Sequence, residues 1–214
     1  MIIVLTGAPG AGKGTQADML VKNGGFRKLS TGDALRRQIS LGTDIGLLAK
    51  EYMDNGNLVP DEVLLKILNA ELGDNAKEKI LLDGYPRNLE QAKTLSGLDT
   101  PHEIKGAVLI DVDQAAILNR IIGRRICGNC GASFHVETLK PKVDGICDNC
   151  GSDLIQRPDD TEEKVSVRLN VYNDVTKPII DFYKEQEKFF AVDGNGSTED
   201  VYKRLLETVS KLSQ

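Results

Sequence analysis

The chain has 214 residues, 40% of them hydrophobic, enough to bury a sizeable core, and no stretch approaches the roughly 20 consecutive apolar residues that cross a membrane. Its 27 Lys plus Arg against 32 Asp plus Glu give a formal charge of -5, which argues against a broadly basic nucleic-acid surface and leaves room only for local arginine clusters. No long Pro-, Gly- or Ser-rich linker divides the chain, so one main domain carrying smaller insertions is expected.

The opening Met1-Ile2-Ile3-Val4-Leu5-Thr6-Gly7 is apolar, very short and lacks a basic leader. It reads as a first strand, Ile2 to Leu5 or Thr6, buried on both faces, and not as a signal peptide. Gly7-Ala8-Pro9-Gly10-Ala11-Gly12-Lys13-Gly14-Thr15 comes next. Between a buried strand and a helix, such a loop turns backbone N–H groups onto phosphate oxygens, and Lys13 adds a mobile ammonium. The strict phosphate-loop pattern has Ser or Thr directly after Lys; here Gly14 intervenes before Thr15, so a direct Thr15 bond to magnesium is less secure than the phosphate assignment.

A helix from about Lys13 is expected to use Ala17, Leu20 and Val21 as its inner face and to stop at Gly24-Gly25. Arg27 to Leu29 forms a short second strand. Ile80 to Leu82, Ala107 to Ile110 and Phe189 to Val192 are further buried strands. Helical patterns separate them, with inner faces at Val63, Leu64, Ile67, Leu68 and Leu72, at Ala115, Ile117, Leu118 and Ile121, and at Val201, Leu205, Leu206 and Val209. This alternation predicts a parallel sheet covered by helices. Two regions break the rhythm. Thr31 to Val59 holds two short helical segments, one with Leu35 and Ile39 and the other near Leu48 and Tyr52, and ends in Asp54-Asn55-Gly56-Asn57 before Pro60 opens the next helix. Gly123 to Asp160 is glycine-rich, with little periodicity.

All four cysteines lie in that second insertion, as Cys127-Gly-Asn-Cys130 and Cys147-Asp-Asn-Cys150, with sixteen residues between the pairs. Two such knuckles complete a tetrahedral, structural zinc site with no open position for catalysis. Structural disulfides or redox pairs are the alternatives; without an export segment, thiolate ligands are favoured. His135, between the pairs, is unnecessary as a ligand and is expected to pack or to contact nucleotide.

The loop, followed in order by Thr31-Gly32-Asp33, Leu82-Asp83-Gly84-Tyr85-Pro86-Arg87, Gly123-Arg124-Arg125 and Arg157-Pro158-Asp159-Asp160 with Arg168, closely resembles the adenylate kinases of the long-lid, zinc-bearing type. The resemblance spans almost the whole chain. It implies an α/β P-loop nucleoside monophosphate kinase fold, a parallel five-stranded sheet flanked by helices and carrying two mobile insertions. The core would comprise residues 1–29, 60–122 and 161–214, the AMP-binding insertion 30–59 and the zinc-bearing lid 123–160.

The activity implied is reversible, Mg2+-dependent in-line phosphoryl transfer from ATP to AMP, giving two ADP. Gly10, Ala11, Gly12, Lys13, Gly14, Thr15, Arg120, Arg124, Ser133, Phe134 and Gly196 would hold the donor. Thr31, Gly32, Arg36, Met53, Val59, Gly84, Arg87, Gln91, Arg157 and Arg168 would serve the acceptor, Gln91 helping to read adenine. Lys13, Arg87, Arg124, Arg157 and Arg168 would clamp the transferring phosphates, with Asp159 and Asp160 ordering the closed arginine cluster. Asp83 would hold magnesium through water, and the four cysteines zinc. The resemblance also implies a cytoplasmic monomer without an obligatory protein, nucleic-acid or membrane partner. A kinase for another monophosphate, and a nucleotide-regulated zinc module that binds nucleic acid, are the competing readings. Tyr85 and Asn88 stand where the family often has Phe and Thr, and His135 to Pro141 departs from its more aromatic, double-proline pattern.

Overall fold

The computed structural model describes residues 1–72 and 75–213. Five parallel strands, β1 (Ile2–Thr6), β2 (Arg27–Ser30), β3 (Ile80–Asp83), β4 (Ile104–Asp111) and a late strand at Phe189–Asp193, lie in the order β2-β3-β1-β4-late. The register pairs Leu5 with Asp83 and Ser30 with Asp83, so β1, β2 and β3 end together at one rim. From the central β1 the chain crosses to the edge strand β2, returns through β3 and continues past β1 to β4 and the late strand, and ligands of parallel α/β sheets gather at such a switch point, beyond the carboxyl ends of the strands.

Side chains alternate across the sheet. Ile2, Val4, Ile80 and Leu82 face one core, together with α2 (Thr31–Ser40), α4 (Asp61–Leu72) and α5 (Leu89–Ser96). Ile3, Leu5, Leu81, Val108 and Ile110 face the other, against α1 (Lys13–Gly24), α6 (Gln114–Ile122) and the last helix, Thr198–Leu212. The unbroken apolar runs are thus explained by burial on both faces.

Three expected inner-face residues turn outward. Val21 and Leu48 are exposed while Gln16 and Ala49 are buried, and Ala115 is exposed. On α1 the phosphate loop fixes the helix rotation, so Gln16 joins Ala17 and Leu20 inside, with its amide donating to Thr198 O at 3.0 Å.

The first insertion is α2 followed by α3 (Asp44–Asp54), N-capped by Ser30 and Thr43. The second is a small antiparallel sheet of β5 (Arg124–Cys127), β6 (Ser133–His135) and β7 (Leu154–Ile155), with β5 central. After it come α7 (Glu162–Val171), a π-turn at Tyr172–Thr176, α8 (Ile179–Glu185), the late strand β8 (Phe189–Asp193) and α9 (Thr198–Leu212). No described helix is long and apolar enough to cross a membrane.

Candidate active site

The loop after β1 makes its turn through Gly12, which caps α1 in the left-handed region at φ 94°; a side chain there would be strained. Lys13 folds back over the loop, its ammonium donating to Gly7 O at 2.8 Å and Ala8 O at 3.0 Å. Burial lowers its pKa to about 8, with Arg87, Arg168 and Arg124 adding to the effect and Asp83 opposing it. The loop therefore holds a cation that lacks a full counter-charge, which suits an incoming phosphate.

Beyond β3, Gly84 turns the chain at φ 83°, and a Cβ there would lie 2.9 Å from Arg87 Nη2 and 3.0 Å from Thr31 Oγ1. Its carbonyl accepts from Thr31 Oγ1 at 2.9 Å and from Arg87 Nε at 2.8 Å, tying the first insertion to the arginine. Burial, with Arg168, lowers the pKa of Arg87 to about 10.

Gln91 is 1% exposed. Its Oε1 accepts the Arg87 backbone N–H at 2.6 Å, and its Nε2 donates to Asp61 Oδ1. Asn88 caps α5 by accepting from Gln91 N at 2.7 Å. The expected base-reading amide is thus engaged within the protein, and Gln91 is not among the residues lining either cavity below.

Two cavities meet at this rim. The larger, of about 590 Å³, runs along Gly10 to Thr15 and is walled by Arg120, Arg124, Ser133, Phe134, Arg157 and Gly196. The smaller is lined by Thr31, Leu35, Met53, Val59 and Leu64. Gly32, Arg36, Gly84, Arg87 and Arg168 line both. Three guanidiniums therefore stand on the boundary, where two phosphate-bearing ligands would touch end to end.

The second insertion closes over the larger cavity through charge pairs. Arg124 grips Asp160 with Nε at 2.8 Å and with Nη2. Arg168 donates to Asp159 at 3.0 Å and lies 3.6 Å from Asp160. Arg157 reaches across to Asp33 at 3.5 Å, and Arg36 binds the same Asp33 oxygen at 2.6 Å. Burial opposes ionisation of Asp33, but Arg36, Lys28 and Arg157 hold its carboxyl well below the usual range. Burial lowers the pKa of Arg157 to about 10. Arg120 donates to Gly194 O at 3.2 Å, which pins it beside the 194–201 wall.

Asp83 stands at the floor. A Cβ on Gly14 would lie 3.7 Å from its Oδ2, so a carboxylate faces the loop residue where a strict phosphate loop has its hydroxyl. An oxygen ligand beside bound phosphates suits Mg2+, which retains several waters.

The four cysteines are free thiols whose sulfurs all lie within 4.8 Å of one another. Cys127 and Cys150 are 3.4 Å apart, and Cys130 and Cys147 3.5 Å. Four thiolates at about 2.3 Å from one zinc would stand roughly 3.8 Å apart, so the donor set fits that ion. The two knuckles repeat the same turn, Gly131 N donating to Cys127 O and Gly151 N to Cys147 O. His135 stays outside the cluster. Its Nδ1 accepts from the N–H groups of Glu137 and Thr138, and its Nε2 lies 3.2 Å from Asn119 O on α6, which joins the insertion to the core.

Of the residues expected to hold the two nucleotides, all but Gln91 line one or both cavities, whereas Asp160 lines neither and reaches the site through Arg124. The sequence patterns passed over Gln16, Lys28, Thr138, Leu139, Thr198, Glu199 and Val201, which also line the larger cavity, and Asn57 and Leu58, which line the smaller. They lie on α1, β2 and α9 or between elements, none belongs to a motif, and only the folding of distant segments around the cleft identifies them.

The family model described as adenylate kinase matches residues 5–188. An adenylate kinase of Clostridium perfringens (strain SM101) is 48% identical over 208 residues, 96% of each chain. One from Clostridium tetani is 43% identical over 216 aligned positions, covering both chains completely. One from a Thermoanaerobacter species (strain X514) is 47% identical over 205 residues, 94% of each chain.

Proposed function

The chain belongs to the adenylate kinase family and is an ATP:AMP phosphotransferase, and on that premise we propose how its groups divide the reaction. The donor triphosphate lies along Gly10 to Thr15 under Lys13, with Arg120 against its base and Ser133, Phe134 and Gly196 around it. AMP occupies the smaller cavity among Thr31, Gly32, Met53, Val59 and Gly84, its phosphate gripped by Arg36 and Arg87. The observation that carries this reading is the shared boundary of the two cavities, where Arg36, Arg87 and Arg168 line both.

Transfer then needs alignment and charge, with no covalent intermediate and no general base. Arg124, Arg157 and Arg168 neutralise the moving phosphoryl group. Asp159 and Asp160 hold the arginines in place, and closure of residues 123–160 keeps water from the donor. Adenylate kinases use Mg2+ with their nucleotides, and the ion would neutralise donor phosphate oxygens while Asp83 holds its coordinated water. Gln91 serves this site by fixing the backbone of Arg87; the expectation that it reads adenine requires its amide to leave Asp61.

Cys127, Cys130, Cys147 and Cys150 bind one structural zinc, a reading supported by their mutual distances and repeated knuckles. The family resemblance supports a cytoplasmic monomer. Turnover with AMP, GMP, CMP and UMP tests the acceptor: AMP is expected to dominate, and negligible rates with AMP would overturn the assignment. A crystal structure with two adenosines joined through phosphates tests the pockets, and neither phosphate run beside Gly7 to Thr15 would refute the division of roles.

A further inference from the structure

Lys28 lines the same cleft as Lys13 and Asp83, yet the roles above give it no task. It projects from the edge strand β2, and its side chain is only 19% exposed. Its ammonium donates to Asp18 on α1 at 2.9 Å and lies 3.6 Å from Asp33 Oδ2 on α2. A Cβ on Gly14 would stand 3.8 Å from Lys28 Nζ and 3.7 Å from Asp83 Oδ2. Ammonium and carboxylate thus flank the same point of the phosphate loop, where the strict pattern has a hydroxyl.

Two features set Lys28 apart from the phosphate-gripping cations. It is tethered at the floor by carboxylates on two helices, whereas Lys13 bonds only to loop carbonyls. Its charge is also secure: burial works against it, but Asp18, Asp33 and Asp83 raise the ammonium above the usual lysine range. A fixed positive charge near a metal's carboxylate repels a divalent ion more than it attracts a phosphate already enclosed by N–H groups and guanidiniums.

We propose that Lys28 sets the divalent-cation demand of the donor site: held beside Asp83 by Asp18 and Asp33, its ammonium weakens the association of the metal that accompanies the donor nucleotide. It acts on the metal through Asp83 and need not touch substrate. The inference rests on the assignment of Asp83 to the metal's hydration shell. Its consequence is directional, because removing the charge should tighten the metal-loaded complex and not loosen it.

Calorimetric titration of the full-length protein with ATP, once in EDTA and once in saturating Mg2+, gives the ratio of the metal-free to the metal-loaded dissociation constant. In K28M and K28Q the metal-loaded constant should fall and this ratio rise about 3- to 10-fold, the scale expected of a unit charge acting on a divalent one across a partly solvated cleft; a rise that comes only from weaker binding in EDTA would overturn the proposal. K28R, which keeps the charge, should restore the wild-type ratio. K28Q decides the matter if K28M does not fold, since its amide retains a hydrogen bond to Asp18. Both constants unchanged in K28Q would overturn the proposal and leave Lys28 as a strap between β2 and α1. Equal weakening in EDTA and Mg2+ would overturn it in favour of a direct phosphate ligand. Turnover of ATP with AMP by the wild-type enzyme, measured separately, shows whether the kinase assignment itself holds.

Discussion

The Asp160 carboxylate, 0% exposed, takes both Nε and Nη2 of Arg124, joining the two ends of the 123–160 insertion. Breaking such an enclosed pair leaves a buried guanidinium without its counter-charge, at a cost on the order of 3 kcal/mol. Asp160→Asn should therefore lower kcat about 100-fold, because Arg124 loses its anchor and Arg168, still bonded to Asp159, loses its second counter-charge. The KM for AMP should move less, since Asp160 does not line the smaller cavity. Steady-state kinetics with both substrates varied separates the two effects; a loss confined to the KM for AMP would place Asp160 in the wrong half of the site.

Arg87 is fixed twice, by its own Nε on Gly84 O and by Gln91 on its backbone N–H. That leaves its Nη groups for a phosphate and makes the fork geometry matter. Arg87→Lys should raise the KM for AMP about 10- to 100-fold, the loss of one or two charged hydrogen bonds. The KM for ATP should change little. Initial rates at saturating ATP provide the check.

Much of this was legible in the sequence, and the exceptions share a cause. Strands buried on both faces announce themselves as apolar runs, and the phosphate loop and cysteine knuckles are local patterns whose spacing encodes their geometry. What the sequence hid depends on partners far along the chain. Gln16 is inside because it meets Thr198, which outweighs the apolar claim of Val21 on the same helix. Gln91 is committed to Asp61, and no spacing rule relates the two. Lys28 reads as an exposed strand lysine until Asp18 and Asp33 close around it.

The cysteine cluster predicts one zinc per chain by elemental analysis. Cys147 is buried between the knuckles, so Cys147→Ser should abolish stoichiometric zinc and unfold the 123–160 insertion. The five-stranded sheet, with its separate cores, should keep its far-ultraviolet signature and cooperative melt. Full zinc retention by this variant would contradict the four-thiolate site.

Tyr85, where related kinases often carry Phe, is 1% exposed, and its hydroxyl has no hydrogen-bond partner among the described residues. An unsatisfied buried hydroxyl costs about 1–3 kcal/mol. Tyr85→Phe removes it without changing the ring and should raise the Tm by about 2–6 °C in scanning calorimetry. A fall in Tm would mean that the hydroxyl has a partner, such as an enclosed water.

Lys13 makes binding depend on pH in a calculable direction. Burial lowers its pKa to about 8 in the nucleotide-free protein, against about 10.4 for a free lysine. Between those values the unfolded chain binds the proton more readily than the folded one, so this group makes stability rise with pH across the window. Phosphate binding runs the other way. It requires the ammonium, and the arriving negative charge raises the pKa of Lys13, so nucleotide affinity should be level below pH 8 and fall as pH climbs past it. Titrations of ATP from pH 7 to 9.5 should show the dissociation constant increasing toward a limiting slope of about tenfold per pH unit. Lys13→Arg, which keeps its proton throughout this range, should bind more weakly at pH 7 but lose the inflection. An inflection near pH 8 that survived in the arginine variant would assign the titration to another group.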